Sequence, residues 1–187
     1  MHLTEAQVDQ YRDQGFLVFG NLFTPGEIAD MAAETERLSA IETDHVFRAG
    51  DIATVYRCHE NDGPTASPLF HAAARVPRTL GIARQLLDDE LYIYNSKINC
   101  KRAITGSPML WHQDYGYWKL DRMPEPNAAT FMIALGDVDE MSGALYVIPG
   151  SHKLGLLKHR PTMVGAHKQI AVNRDIEIES MNMPSTT

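Results

Sequence analysis

The stretch from Met109 to Tyr115, which reads MLWHQDY, is the most informative part of this 187-residue chain. In an extended segment, residues i and i+2 project to the same side, so His112 and Asp114 can point together into one cavity. A histidine nitrogen and a carboxylate oxygen are two of the three ligands of a 2-His-1-carboxylate facial triad, which leaves adjacent positions open on Fe(II). His-x-Asp is nevertheless a short pattern that also occurs by chance, and a lone histidine is more often a surface or core residue.

Helices are expected before this stretch. Residues 4–7 and 24–27 both have the Ser/Thr-x-x-Glu/Gln form of a capping box, so helices should begin there, the first of them ending at Gly15. A third helix is predicted over residues 77–87. Residues 16–19 have the composition of a short strand, and residues 41–75 are expected to be irregular, with a turn at 61–64.

Strands are expected around and after the stretch. Residues 91–101 and 129–135 and 144–148 are rich in β-branched and aromatic side chains, and residues 169–172 and 176–178 are weaker candidates. Helices therefore come first and strands follow, which is an α+β arrangement. These strands are too few to close a jelly roll of eight. We expect a single domain over residues 1–187, helical over about 1–89 and β-rich over about 90–187.

Composition and charge exclude several classes of protein. The formal net charge is -7, and an acidic surface repels phosphate backbones and anionic membranes, so nucleic acid and membrane partners are not expected. No apolar run approaches the roughly 20 residues that span a bilayer. The first residues contain neither a basic region nor an apolar run, so no secretion signal is expected, and two cysteines do not make a disulfide framework. These features predict a cytoplasmic protein.

Beyond these patterns, residues 95–153 resemble the phytanoyl-CoA dioxygenase family of Fe(II)/2-oxoglutarate oxygenases, most nearly its ectoine hydroxylase-like members. Four blocks in matching order carry the resemblance: residues 96–101 (SKINCK), residues 111–115 (WHQDY) with Trp118, residues 123–126 (MPEP), and residues 143–153 (GALYVIPGSHK). The resemblance implies a double-stranded β-helix, a jelly-roll or cupin-like core with the N-terminal helices packed outside. It also implies Fe(II), 2-oxoglutarate and O2 as cofactor and co-substrates.

The resemblance assigns roles to particular residues. His112 and Asp114 would be the first two iron ligands. Lys101, with Lys97 on the same strand, would bind 2-oxoglutarate, since an ammonium pairs with a carboxylate as a point charge. The substrate-binding candidates are Asn95, Tyr115 and Trp118. Lys101 also has a plain structural interpretation as a solvated strand lysine, and Asn95 and Trp118 could equally be packing residues, Trp118 as a core aromatic.

The family's late segment, which carries a second iron-binding histidine and an arginine for 2-oxoglutarate, has no match here. His167 is only a weak candidate for the third ligand, and His152 is expected in a structural turn. The jelly roll is thus expected to be incomplete at the C-terminus, as in a truncated product. Exposed sheet edges then invite pairing with another chain, such as a homo-oligomer.

The sequence thus predicts a dioxygenase that hydroxylates an unactivated C–H bond of a small molecule. Two alternatives stay open. One is a non-catalytic jelly-roll binding module, and the other is an inactive fragment of such an enzyme. A cupin-like isomerase or metal hydrolase is disfavoured because the additional His and Glu ligands of those proteins are absent.

Overall fold

A computed structural model describes residues 1–49, 52–101, 109–139, 142–164 and 167–172 of the chain. The chain divides into two compact units. The first consists of Met1–Val8, Val18–Gly106 and Ala128–Ala144. The second consists of Asp9–Leu17, Ser107–Asn127 and Leu145–Thr187. The prediction of a single domain stays a prediction.

The helices of the described residues lie mostly before residue 90. They are α1 (Glu5–Gln14), α2 (Pro25–Ser39), α3 (Pro68–Ala73), α4 (Pro77–Leu87) and the short α5 (Asp114–Trp118). Both expected capping boxes are present: the Thr4 hydroxyl accepts the Gln7 N–H at 3.2 Å, and the Thr24 hydroxyl accepts the Glu27 N–H at 3.3 Å. These local bonds satisfy N–H groups that have no partner within the helix, which is why the helices begin there.

The first unit contains an antiparallel sheet in the order β1 (Val46–Ala49), β2 (Ile52–Tyr56), β3 (Lys97–Lys101). The register places Val46 opposite Val55, and Ile52 opposite Lys101. One face of this sheet packs on α2, where Leu38 and Val55 are fully buried. Their burial removes apolar surface from water and anchors β3.

The second unit contains a hairpin of β4 (His159–Val164) and β5 (His167–Val172). The register pairs His159 with Val172 at the open end. Gln169, Ala171 and Val172 of β5 are buried. This end of the hairpin lies against the Met109–Tyr115 stretch.

Several secondary-structure predictions are wrong. Residues 41–75 contain β1, β2 and α3 instead of being irregular, although the turn at 61–64 is present. β3 begins only at residue 97, and β4 was missed. Residues 16–19, 129–135 and 144–148 are not strands. A strand needs a partner to satisfy its backbone groups, and these segments join neither of the sheets formed by the described residues. Residues 176–178 lie outside the described part.

The class of fold is as expected: N-terminal helices with small antiparallel sheets, a mixed α+β arrangement. The confirmed elements are α1, α2, α4 and β5. Within the described residues, no helix combines the length and the apolar character needed to cross a bilayer.

Candidate metal centre

The side chains of His112 and Asp114 lie together in the second unit. The distance from His112 Nε2 to Asp114 Oδ1 is 3.5 Å, and the two side chains are 21% and 32% exposed. His112 Nδ1 lies 2.7 Å from the Leu110 carbonyl oxygen. A carbonyl only accepts, so Nδ1 carries the proton, and in the neutral ring the lone pair is on Nε2, the nitrogen nearest the carboxylate. This tautomer is the one in which a histidine binds a metal through Nε2.

The backbone between the two side chains explains why they converge. Gln113 is extended, with φ -105° and ψ 131°, and α5 begins at Asp114. An extended segment was expected here. In the structure only Gln113, directly before α5, is needed to provide the extended conformation between the two side chains. The side chains of residues 112 and 114 nevertheless reach the same region.

Aromatic side chains flank the pair. The Tyr117 ring meets the His112 ring edge to face, with centroids 5.4 Å apart and an interplanar angle of 86°. The Tyr115 hydroxyl donates to the Pro124 carbonyl at 3.0 Å. The Tyr117 ring therefore restricts the rotation of His112, and the Tyr115 hydroxyl is engaged with backbone.

β5 binds the backbone of the residues immediately before His112. The Leu110 N–H donates to the Gln169 side-chain carbonyl at 2.9 Å, and the Val172 N–H donates to the Trp111 carbonyl at 2.9 Å. Gln169 is only 6% exposed. Because Gln169 and Val172 are buried, water competes little for these bonds, which fix the backbone immediately before His112.

The donor set matches two positions of a divalent cation site. An imidazole nitrogen and a carboxylate oxygen are ligands that suit first-row divalent metals such as Fe(II). Among the residues that the structure describes, no group of three or more His, Cys, Asp or Glu side chains is placed to hold a metal ion. His112 and Asp114 therefore fit a metal as a pair of donors.

The family model described as phytanoyl-CoA dioxygenase matches residues 11–182. The chain belongs to the phytanoyl-CoA dioxygenase family. The resemblance expected from the four sequence blocks is therefore confirmed.

Curated relatives within the family are similar to this chain over most of its length. Ectoine dioxygenase from Bordetella bronchiseptica is 33% identical over 159 residues, which are 81% of this chain and 50% of that protein. L-proline trans-4-hydroxylase from Streptomyces griseoviridis is 31% identical over 160 residues, which are 83% of this chain and 58% of that protein. The chain thus spans about half the length of the curated relatives it matches.

A solved structure supports the same relationship. EctD from S. alaskensis, determined with 2-oxoglutarate and 5-hydroxyectoine, aligns with a TM-score of 0.55 and 25% identity. The alignment covers 62% of this chain and 42% of that chain. The names of these relatives describe dioxygenases and hydroxylases of small molecules, in keeping with the family.

The other predicted site residues fall into three groups. Asn95 and Lys97 are exposed in the first unit, Lys97 at the start of β3. The backbone of Lys101 ends β3, and the backbone of His167 begins β5, but their side chains lie outside the described part. Trp118 ends α5 and is partly buried in the second unit.

Two histidines without a predicted metal role have defined contacts in the second unit. His152 lies in the expected turn, Ser151–Leu154, where its Nε2 donates to the Arg12 carbonyl at 3.1 Å. His159 lies directly beside the candidate pair: its Nε2 accepts the Gln113 N–H at 2.9 Å. No local motif surrounds His159, so the sequence alone gave no signal for this contact.

Proposed function

We propose that this chain contributes the His112 and Asp114 ligands to the iron centre of an Fe(II)- and 2-oxoglutarate-dependent dioxygenase that hydroxylates an unactivated C–H bond of a small molecule. The observation that carries the proposal is the 3.5 Å approach of His112 Nε2 to Asp114 Oδ1, with the Nδ1 proton committed to the Leu110 carbonyl. The family and the names of its relatives supply the reaction class.

The separation of the two donors is compatible with a shared cation. In a near-octahedral site with ligands roughly 2.1 Å from the metal, adjacent donors lie roughly 3.0 Å apart. The 3.5 Å between Nε2 and Oδ1 is a little wider, so a small rotation of either side chain would bring both atoms into range. Partial exposure of both side chains leaves a route for the cation to enter.

A simple ion pair is the competing interpretation of this geometry. It would require a proton on Nε2 and would give the pair a structural role only. Surface-accessible ion pairs contribute little to stability, a median of about 0–1 kcal/mol. The two interpretations differ in what the pair does with a divalent cation, which makes cation binding the decisive measurement.

The remaining residues would orient and shield the reactants. Fe(II) held by His112 and Asp114 would supply the activation of O2 and the oxidative decarboxylation of 2-oxoglutarate. The ammonium groups of Lys101 and Lys97 would pair with a carboxylate of 2-oxoglutarate. Asn95 and Trp118 would contact the substrate, and Tyr115 would contribute to the wall of the pocket, which excludes water from the reacting centre.

A non-catalytic member of the family is the second candidate function. The observation that favours it is that the described residues place two donors together and not three. Two ligands bind a metal less tightly than a full triad with its supporting contacts. We therefore expect little or no turnover from this chain alone. The homo-oligomer expected from exposed sheet edges also stays a prediction.

Calorimetric titration with Mn(II), in the presence and absence of 2-oxoglutarate, tests the proposal. We expect one weak site in the wild-type chain, which is lost in His112→Ala and Asp114→Asn. Asp13→Asn is the matched control, because Asp13 is a carboxylate of the same unit that pairs with Lys153 at 2.6 Å. Absence of binding in the wild type, or equal binding in all four proteins, would refute the proposal. Succinate release measured with Fe(II) separates the two functions, because robust turnover would reveal a third ligand.

A further inference from the structure

His159 makes two hydrogen bonds that use both of its ring nitrogens. Its Nδ1 donates to the Leu157 carbonyl at 2.8 Å, and its Nε2 accepts the Gln113 N–H at 2.9 Å. The ring is therefore in its neutral form with the proton on Nδ1. With both nitrogens engaged by backbone groups, His159 is placed to hold the polypeptide chain and not to ligate a metal.

The side chain of Gln113 in turn binds the backbone of the segment that leads to His159. Its amide nitrogen donates to the Gly155 carbonyl at 2.8 Å, and its amide oxygen accepts the Leu157 N–H at 2.8 Å. Gln113 is the N-cap residue of α5, yet its side chain makes no capping hydrogen bond and is used for this contact instead. Side chains from each of the segments 155–159 and 113–116 thus hydrogen-bond to the backbone of the other.

Gly116 provides the space that the His159 ring occupies. A Cβ built on Gly116 would lie 2.6 Å from Nε2 and 2.7 Å from Cδ2 of His159. Gly116 is buried in the middle of α5, and its backbone is helical, so the requirement for glycine here comes from space and not from an unusual φ. A side chain at residue 116 would displace the ring from Gln113.

We propose that His159 is a positioning residue for the cation site, an inference that rests on the function proposed above. The Gln113 N–H belongs to the peptide group between His112 and Gln113. Anchoring that group fixes ψ of His112 and φ of Gln113, two torsions that set where the side chains of residues 112 and 114 point. Hydrogen bonds that orient metal ligands change metal affinity by about 10- to 100-fold when they are removed, and His159 would act on the same orientation through the intervening peptide.

Two variants of His159 separate the contact with Gln113 from the contact with Leu157. In His159→Gln, the side-chain carbonyl reaches the position of Nε2 and can still accept the Gln113 N–H. In His159→Asn, the shorter amide reaches only the position of Nδ1 and keeps the bond to the Leu157 carbonyl. His152→Gln is the control, because His152 also packs on a glycine, Gly15, and its Nδ1 occupies the space that an alanine Cβ would take.

The experiment measures Mn(II) affinity and, in the metal-free chain, the hydrogen-exchange rate of the Gln113 amide by NMR. We expect His159→Asn to bind Mn(II) about tenfold more weakly or worse and to lose protection at Gln113, while His159→Gln stays within about threefold of the wild type. The control should match the wild type in both measurements. Thermal unfolding midpoints identify any variant that loses affinity because its fold is lost.

The outcomes distinguish this inference from the proposed function. Equal Mn(II) affinity in the two His159 variants, or unchanged Gln113 exchange in His159→Asn, overturns the positioning role. If no protein binds Mn(II) but only His159→Asn loses protection, the proposed function fails while the hold of His159 on Gln113 is supported.

Discussion

Replacing Gly116 with alanine should destabilise the chain although alanine is the better helix former. Alanine in a helix is favoured over glycine by about 1 kcal/mol. At residue 116 the added Cβ would lie 2.6 to 2.8 Å from three atoms of the His159 ring, so the ring must move by several tenths of an ångström or more. Overpacking of this kind costs about 1–3 kcal/mol, and the bond to the Gln113 N–H contributes about 1 kcal/mol more. We therefore expect a net loss of about 1–3 kcal/mol in the free energy of unfolding.

A double-mutant cycle with His159→Ala tests the cause of that loss. Once the ring is removed, Gly116→Ala should become neutral or stabilising, which gives a coupling free energy of about 2 kcal/mol by urea unfolding. Gly26→Ala is the matched control, because Gly26 is also helical and a Cβ there would meet nothing within 4 Å. Additivity of the two substitutions within about 0.5 kcal/mol would refute the reasoning, since uncoupled sites behave in that way.

Three further predictions concern the first unit. Leu38→Ala, at a side chain that is 0% exposed, should lower the free energy of unfolding by about 2–5 kcal/mol, whereas Val18→Ala, at 82% exposure, should change it by less than about 0.5 kcal/mol in the same urea titration. The pKa of Glu27 is lowered chiefly by the hydrogen bond from the Thr24 N–H. Its charged form therefore stabilises the folded state above the ordinary carboxyl pKa of 4.5, and the stability difference between wild type and Glu27→Gln should shrink as the pH falls below that value. Burial raises the pKa of the Cys58 thiol, which is 3% exposed, so peptide mapping should find Ellman's reagent on Cys58 only after unfolding.

The starts of α2 and α4 were predictable because their causes lie within a few residues. The capping box at Thr24 and the proline at residue 77 act on the adjacent turn, and α2 and α4 begin where these signals place them. The interaction that stabilises such an end is complete before the rest of the chain is considered. Local sequence was therefore sufficient.

Strands depended on partners that local sequence does not reveal. The β-branched and aromatic residues of 129–135 favour an extended conformation, but a strand exists only when another strand satisfies its backbone. In the described residues this segment joins neither sheet, and Met132 is 61% exposed. Conversely, residues 46–49 and 52–56 have mixed composition, yet they form β1 and β2, because β2 pairs with both β1 and β3.

The candidate metal centre combines both kinds of cause. That His112 and Asp114 would face one region followed from their spacing, and one extended residue between them was enough to produce it. How firmly they face it depends on His159, which lies 46 residues after Gln113 in the chain. A His-x-Asp pattern identifies two candidate metal donors. The backbone torsions between them stay free to rotate until a distant group binds the intervening peptide. The distance between Nε2 and Oδ1 is therefore a property of the folded second unit, and a substitution at Gly116 or His159 should alter it without touching either donor.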